Sequence, residues 1–266
     1  MATARTPVVF VHGLWLHAES WAPWVDLFRE QGYEPLAPGW PGDSDTVEET
    51  RNDPESVAGY GIDDVVEHHA RIIGELDRKP IVIGHSFGGL VAQRLLGQDL
   101  AAAAVAIDAA PIKGVVSLPP SALRVASVAL RNPANRKRAV ALTREQFRYG
   151  FGNAISGGES DELYERWTIP SPGRPLFEAA LANLSPRSPA RVRMDNGTRG
   201  PLLLTAGGKD HTVPRAITRS TLKQHRRSPA VTEYREFPDR GHTLAIDHGW
   251  RGVADTALTW LGAQAF

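Results

Sequence analysis

The chain predicts an α/β fold, a mostly parallel sheet with helices on both faces. Apolar runs of strand length recur at 8–11, 33–37, 80–83, 103–107, 202–205 and 231–237. Helical spacing separates most of them, and strands that alternate with helices pair in parallel through right-handed crossovers. The second observation is a break in that pattern. From 111 to 199 no strand run of comparable quality occurs, although the stretch is too long for a plain loop. This divides the chain into a core, 1–110 with 200–266, and a helical insertion, 111–199, placed over the carboxyl ends of the strands, where open sheets bind ligands.

The elements follow in order. Residues 8–11 form a short buried strand ended by His12-Gly13. Ser20 is positioned to cap a helix over 21–31, with Gly32 as its stop. A second strand covers 33–37, and the Pro- and Gly-rich 38–42 reads as a loop. Residues 43–61 are polar and irregular. Ile62, Val65, Val66, His69, Ile72, Ile73 and Leu76 then trace one face of a helix. After the insertion, the 202–205 strand, a helix over 214–225, the 231–237 strand and a last helix over 247–263 complete the chain.

Composition bounds the function. The chain has 266 residues, 42% hydrophobic and 23% charged, with Lys plus Arg and Asp plus Glu at 30 each. Zero formal net charge gives no support for a nucleic-acid partner or a polybasic membrane surface. The absence of cysteine excludes disulfides, thiol nucleophiles and thiolate metal sites, and fits a cytoplasmic location. The first residues lack an apolar signal segment, and 101–107, the longest apolar run, is too short to span a membrane.

The most informative motif is Gly84-His85-Ser86-Phe87-Gly88, set between the 80–83 strand and a helical stretch from Gly89. A G-x-S-x-G turn between strand and helix is a nucleophile elbow. The turn projects the serine hydroxyl above the sheet, and glycines two residues either side omit side chains that would collide. The helix that follows favours negative charge beside the serine. Serine needs a base, and the base an orienting acid. His242, in a loop after the 231–237 strand, is the base of choice among nine histidines. His68-His69 cannot share a helix face as metal ligands. His17, His211, His225 and His248 read as surface or loop residues, and His85 as structural. Asp210, after the 202–205 strand, is the preferred acid. Asp108 is the alternative, since it also ends a strand. Backbone N–H groups of Phe87 and Leu14 are positioned to hold an oxyanion. Trp15, Tyr164, Trp167 and Phe177 are the candidates for an apolar substrate wall.

These markers resemble the α/β-hydrolase superfamily, in its esterase- and lipase-like serine branch. Val9-Phe10-Val11-His12-Gly13, Gly84-His85-Ser86-Phe87-Gly88-Gly89, Gly208-Lys209-Asp210-His211-Thr212-Val213-Pro214 and Gly241-His242 match its motifs in order. Trp15, Trp21 and Trp24 look like a segment of plant esterases and hydroxynitrile lyases of that superfamily. The resemblance implies that the N-terminal edge hairpin is missing here. It also implies a serine hydrolase that cleaves carboxylic esters of small to medium size without metal or organic cofactor. Lyases, perhydrolases, C–C bond hydrolases and non-catalytic receptors share the scaffold. A lyase would recruit a lysine, for which Lys209 is the candidate. Ser86 argues against haloalkane and epoxide hydrolases, which need a carboxylate nucleophile.

Overall fold

A computed structural model describes residues 5–266. Six parallel strands form one sheet in the order β2-β1-β3-β4-β7-β8. They are β1 (Pro7–Val11), β2 (Glu34–Leu36), β3 (Ile81–His85), β4 (Ala103–Ile107), β7 (Leu202–Gly207) and β8 (Thr232–Phe237). The helices of this layer are α1 (Ala22–Glu30), α2 (Val47–Asn52), α3 (Ile62–Gly74), α4 (Phe87–Gly97), α9 (Arg215–His225) and α10 (Trp250–Ala263).

The strands β1, β3, β4 and β7 are buried throughout, as a parallel sheet covered on both faces requires. Alternate residues feed two cores. Val8, Phe10, Ile81, Ile83, Val105 and Leu203 pack with α1 and α10, where Phe10, Trp21, Trp24 and Phe28 form one aromatic cluster of mostly edge-to-face contacts. Val9, Val11, Val82, Ala104 and Leu204 face α3 and α4 on the other side. Burying each such side chain contributes about 1.5–3 kcal/mol, so the inner strands anchor everything at their ends.

Strand order reverses between β1 and β3. From β1 the chain runs outward to β2, then crosses back to β3 on the other side. The register pairs Val11 with Gly84, so the turns after β1 and β3 emerge side by side at this switch point.

Between β4 and β7 lie α5 (Pro120–Leu130), α6 (Arg144–Gly150), α7 (Gly157–Trp167) and α8 (Arg174–Ala180), with a two-stranded antiparallel ribbon of β5 (Ala139–Val140) and β6 (Ser171–Pro172). Val125, Leu142, Phe147, Phe151, Leu163 and Ile169 belong to the same core cluster as Val9 and Leu90. The insertion therefore has no separate core; its apolar residues continue that of the sheet.

The structure revises several boundaries. Ser20 is not a cap. The first helix opens with a 3-10 turn over Ala18–Trp21, whose cap is the His17 ring accepting from the Glu19 N–H at 3.2 Å. Pro23 then permits an α-helix without a side-chain cap. Within 43–61, Thr46 caps the short α2 by accepting from the Glu49 N–H. The last helix begins at Trp250 because Asp247 is drawn into the preceding loop, where it accepts from the Gly249 N–H. Among the described residues, no helix is long and apolar enough to cross a membrane.

Candidate active site

Ser86 follows β3 with φ 56° and ψ −121°, a conformation that costs a non-glycine residue on the order of 1–3 kcal/mol. Neighbours impose it. The Ser86 N–H donates to the Ile107 carbonyl at 2.9 Å, and the Ser86 carbonyl accepts from the Ala110 N–H at 2.9 Å. A Cβ on Gly84 would overlap the Gly88 carbonyl, and one on Gly88 would overlap the Val11 carbonyl. Gly13 lies so close that a Cβ there would stand 2.6 Å from that of Ser86. These glycines let the turns after β1 and β3 touch. Ser86 is also the N-cap of α4, so the positive end of that helix faces it.

His242 and Asp210 are both fully buried. The His242 Nδ1–H donates to Asp210 Oδ2 at 2.6 Å, and Asp210 Oδ1 accepts from the N–H groups of Thr212 and Val213 at 2.7 and 2.8 Å. The His242 Nε2 has no hydrogen-bond partner among the described residues. The loop that carries His242 is braced by Asp247, which pairs with Arg240 and accepts from the Thr243 hydroxyl at 2.9 Å. Phe151 covers the ring edge-on at 4.7 Å between centroids. His85 also packs against the ring, at 4.5 Å between centroids, and donates from Nε2 to the His242 carbonyl at 2.9 Å. Burial, and then the His242 ring, lower the His85 pKa well below the usual histidine range, so His85 is a neutral brace.

The two candidate acids are neighbours. Asp108, at φ 43°, accepts from the Gly207 N–H at 2.9 Å. Ligand atoms of Asp108, Asp210 and His242 all lie within 4.8 Å of one another. Two buried carboxylates so close do not both ionise. Burial, and then the Asp210 charge, raise the Asp108 pKa well above its ordinary value. For Asp210 burial acts in the same sense, but His242 and the hydrogen bonds it receives outweigh this and lower its pKa. Asp210 carries the charge, and Asp108 is the protonated neighbour. A cation would have to compete with the hydrogen bonds already made to both carboxyls.

Leu14 and Trp15 follow Gly13. Trp15 is left-handed (φ 64°) and is tied to the insertion: its N–H donates to the Ser171 hydroxyl at 2.7 Å, and its indole N–H to the Val140 carbonyl at 2.9 Å. Among the described residues, neither the Leu14 nor the Phe87 N–H makes a protein hydrogen bond. Both residues, with Trp15 and Ser86, line a cavity of about 370 Å³ that runs beneath α5 and α8. Its walls are Ile112, Val115, Val125, Leu176, Val213 and Ile217, with few polar groups. A larger open cleft, about 610 Å³, lies against 38–45 and shares none of these residues.

The structure does not bring Tyr164, Trp167 and Phe177 into that wall. Tyr164 packs on Phe147 and donates its hydroxyl to the Leu142 carbonyl at 2.9 Å. Trp167 is buried and its carbonyl accepts from the His17 N–H. Phe177 sits on α8 about a third of a turn from Leu176 and is not part of the lining. The tryptophans near the N-terminus divide as well: Trp21 and Trp24 belong to the opposite core, and only Trp15 reaches the cavity. Of the histidines read as surface or loop residues, His17 lies in a loop and His225 at the end of α9, and both are buried; the His17 Nε2–H meets the Ser44 carbonyl, and His225 meets Gln93 at 2.9 Å. Lys209 pairs with Asp239 at the surface, 3.2 Å away. The His12–Asp43 pair at 2.9 Å, which anchors the 38–43 loop to the end of β1, had no sequence signal beyond a Pro-Gly-Asp turn.

The strained serine at a helix N-terminus meets the turn of Gly13 at the switch point, and the buried His242–Asp210 pair packs against His85, the residue before that serine. The model of the alpha/beta hydrolase family matches residues 8–256. The chain belongs to the α/β-hydrolase family. Solved structures show how far this member keeps the fold. A monoacylglycerol lipase from Paleococcus ferrophilus is 19% identical with a TM-score of 0.69, over 97% of this chain and 94% of that one. A pyrethroid hydrolase from Sphingobium faniae is 19% identical with a TM-score of 0.68, over 98% and 99%. An Arabidopsis methylesterase is 16% identical with a TM-score of 0.66, over 97% and 99%. No curated protein matches this α/β hydrolase by sequence.

Proposed function

We propose that this α/β hydrolase is a carboxylesterase that acts through an acyl-enzyme on Ser86. The observation that carries the reading is the buried His242–Asp210 pair, whose imidazole keeps a free Nε2 and packs on His85, the residue before a serine held in a strained turn. Ser86 Oγ attacks the ester carbonyl carbon while its proton passes to His242 Nε2. Phe87 and Leu14 N–H groups take the negative oxygen, and the helix α4 dipole adds to them. Collapse breaks the C–O bond to the alcohol, which leaves with the proton from His242. Water, activated by the same histidine, then releases the acid and restores Ser86. Asp210 fixes the imidazole tautomer, and Asp108, protonated, supports Asp210 without replacing it. No step calls for a metal or organic cofactor.

The cavity favours neutral, lipophilic esters, because an ionised substrate group there would be desolvated without a partner. We read 111–199 as the cap that shapes this cavity, with Trp15 as a tether to the core. The similar structures are named a methylesterase, a monoacylglycerol lipase and a pyrethroid hydrolase, which supports the class of reaction but not a substrate. A lyase reading is disfavoured by Lys209, whose ammonium is engaged with Asp239 in solvent. The test is turnover of a chain-length series of aryl esters by the wild type and by Ser86→Ala. Hydrolysis by the wild type and its loss in the variant support the reading; equal rates overturn it.

A further inference from the structure

The exposed large hydrophobic residues of this molecule are not scattered. Val116, Leu118, Leu123 and Leu184, between 48% and 81% exposed, all line the mouth of the Ser86 cavity, and Leu181 (48%) stands beside them. Elsewhere among the described residues only Leu36 and Val231 are comparable. Single exposed leucines are ordinary, whereas a cluster on one rim marks a surface that meets something apolar.

Charge is distributed just as unevenly. The stretch 111–148 contains eight Lys and Arg and one acidic residue, Glu145, a local excess that the zero net charge of the whole chain conceals. Arg144 and Arg148 are paired with Asp161 and Glu165 from α7. Arg124 lies over the Tyr149 ring at 3.7 Å. Arg131, Arg136, Lys137 and Arg138 are exposed and have no carboxylate partner among the described residues. Arg131 ends α5, Arg136 and Lys137 lie on the turn Pro133–Lys137 that follows it, and Arg138 closes that turn, while α5 itself carries Leu123 on the cavity rim.

We propose that this face docks on a lipid–water interface bearing anionic head groups, with the apolar rim inserted and the flanking cations at the phosphates. Apolar insertion combined with cationic flanks is the pattern by which peripheral proteins hold such surfaces. A second copy of the chain is a poorer occupant, because a two-fold contact would set the unpaired cations against one another. The rim opens into the cavity that contains Ser86, so an ester dissolved in the lipid layer can enter without crossing water. That delivery step rests on the esterase reading; the docking itself does not.

The experiment is co-sedimentation of the full chain with phosphatidylcholine vesicles, with and without phosphatidylglycerol. The expected result is binding that requires phosphatidylglycerol and weakens as salt is added. The triple variant Arg136→Glu, Lys137→Glu, Arg138→Glu should bind on the order of 10²-fold more weakly while hydrolysing a soluble short-chain ester at the wild-type rate. Leu184→Asp, at a position 81% exposed, should weaken binding about tenfold and tests the apolar half. Ser86→Ala should bind as the wild type does, so loss of activity and loss of docking are read separately. Binding by the triple variant equal to wild type, equal binding to vesicles without phosphatidylglycerol, or self-association with no vesicle binding would each overturn the proposal.

Discussion

The carboxyl rim of the sheet and the inserted segment 111–199 meet at one cavity but are built under different constraints. On the rim, the backbone dictates the residues. Gly13, Gly84 and Gly88 are required by contacts that leave no room for a Cβ, and Ser86 by a turn that few residues tolerate. In the insertion, the apolar side chains fill space. Many apolar residues serve equally well there, and the choice between lining the cavity and filling the core turns on helix rotation. Phe177 and Leu176 are adjacent, yet only Leu176 faces the cavity. On the proposed function, the rim carries the chemistry and the insertion the preference for substrate.

The comparison breaks if rim variants change selectivity alone or if wall variants abolish turnover. The largest expected effect is that of Ser86→Ala, a loss on the order of 10⁴-fold or more in kcat with the thermal melt unchanged. Next comes the ranking of the two acids. Asp210→Asn should cost about 10²-fold or more beyond Asp108→Asn. The Asp108 amide can still accept from Gly207 and donate to Asp210, as a protonated carboxyl does. Steady-state rates of both variants decide it, and the reverse order would make Asp108 the orienting acid.

A third effect belongs to the core that both regions share. Burial pushes His69 and His225 each down to about 3, so both are neutral in the folded protein at pH 5. Unfolded, each takes up a proton near pH 6.5, so the unfolded state binds more protons and stability falls as pH drops below 6.5 toward 3. Each histidine should cost about 2 kcal/mol between pH 7 and pH 5. Denaturant midpoints at the two pH values measure this, and His225→Gln should remove its share of the difference. The smallest effect is in the wall. Leu123→Ala or Leu176→Ala should change the ratio of long- to short-chain kcat/KM by about 1–3 kcal/mol, whereas Tyr164→Phe should leave it alone.

Legibility in the sequence follows the same division. The six strands and the Ser86 turn were readable because parallel pairing and close backbone approach restrict composition. Asp210 and His242, which meet here at 2.6 Å, were readable from their places after strands. The burial of His17 and His225 left no trace, since a histidine satisfied by Ser44 or Gln93 looks like any other polar residue. Asp108 was visible only as a strand-ending acid. Its protonated state comes from two buried carboxyls brought together from β4 and β7, which no local pattern records.

The central claim is that Ser86 is the nucleophile of a carboxylesterase. The most direct measurement is mass spectrometry of the protein after treatment with a fluorophosphonate ester. The account predicts one adduct, on the peptide containing Ser86, absent from Ser86→Ala and formed far more slowly in a His242→Ala variant. An adduct on another residue, or labelling of Ser86→Ala at the wild-type rate, would contradict it.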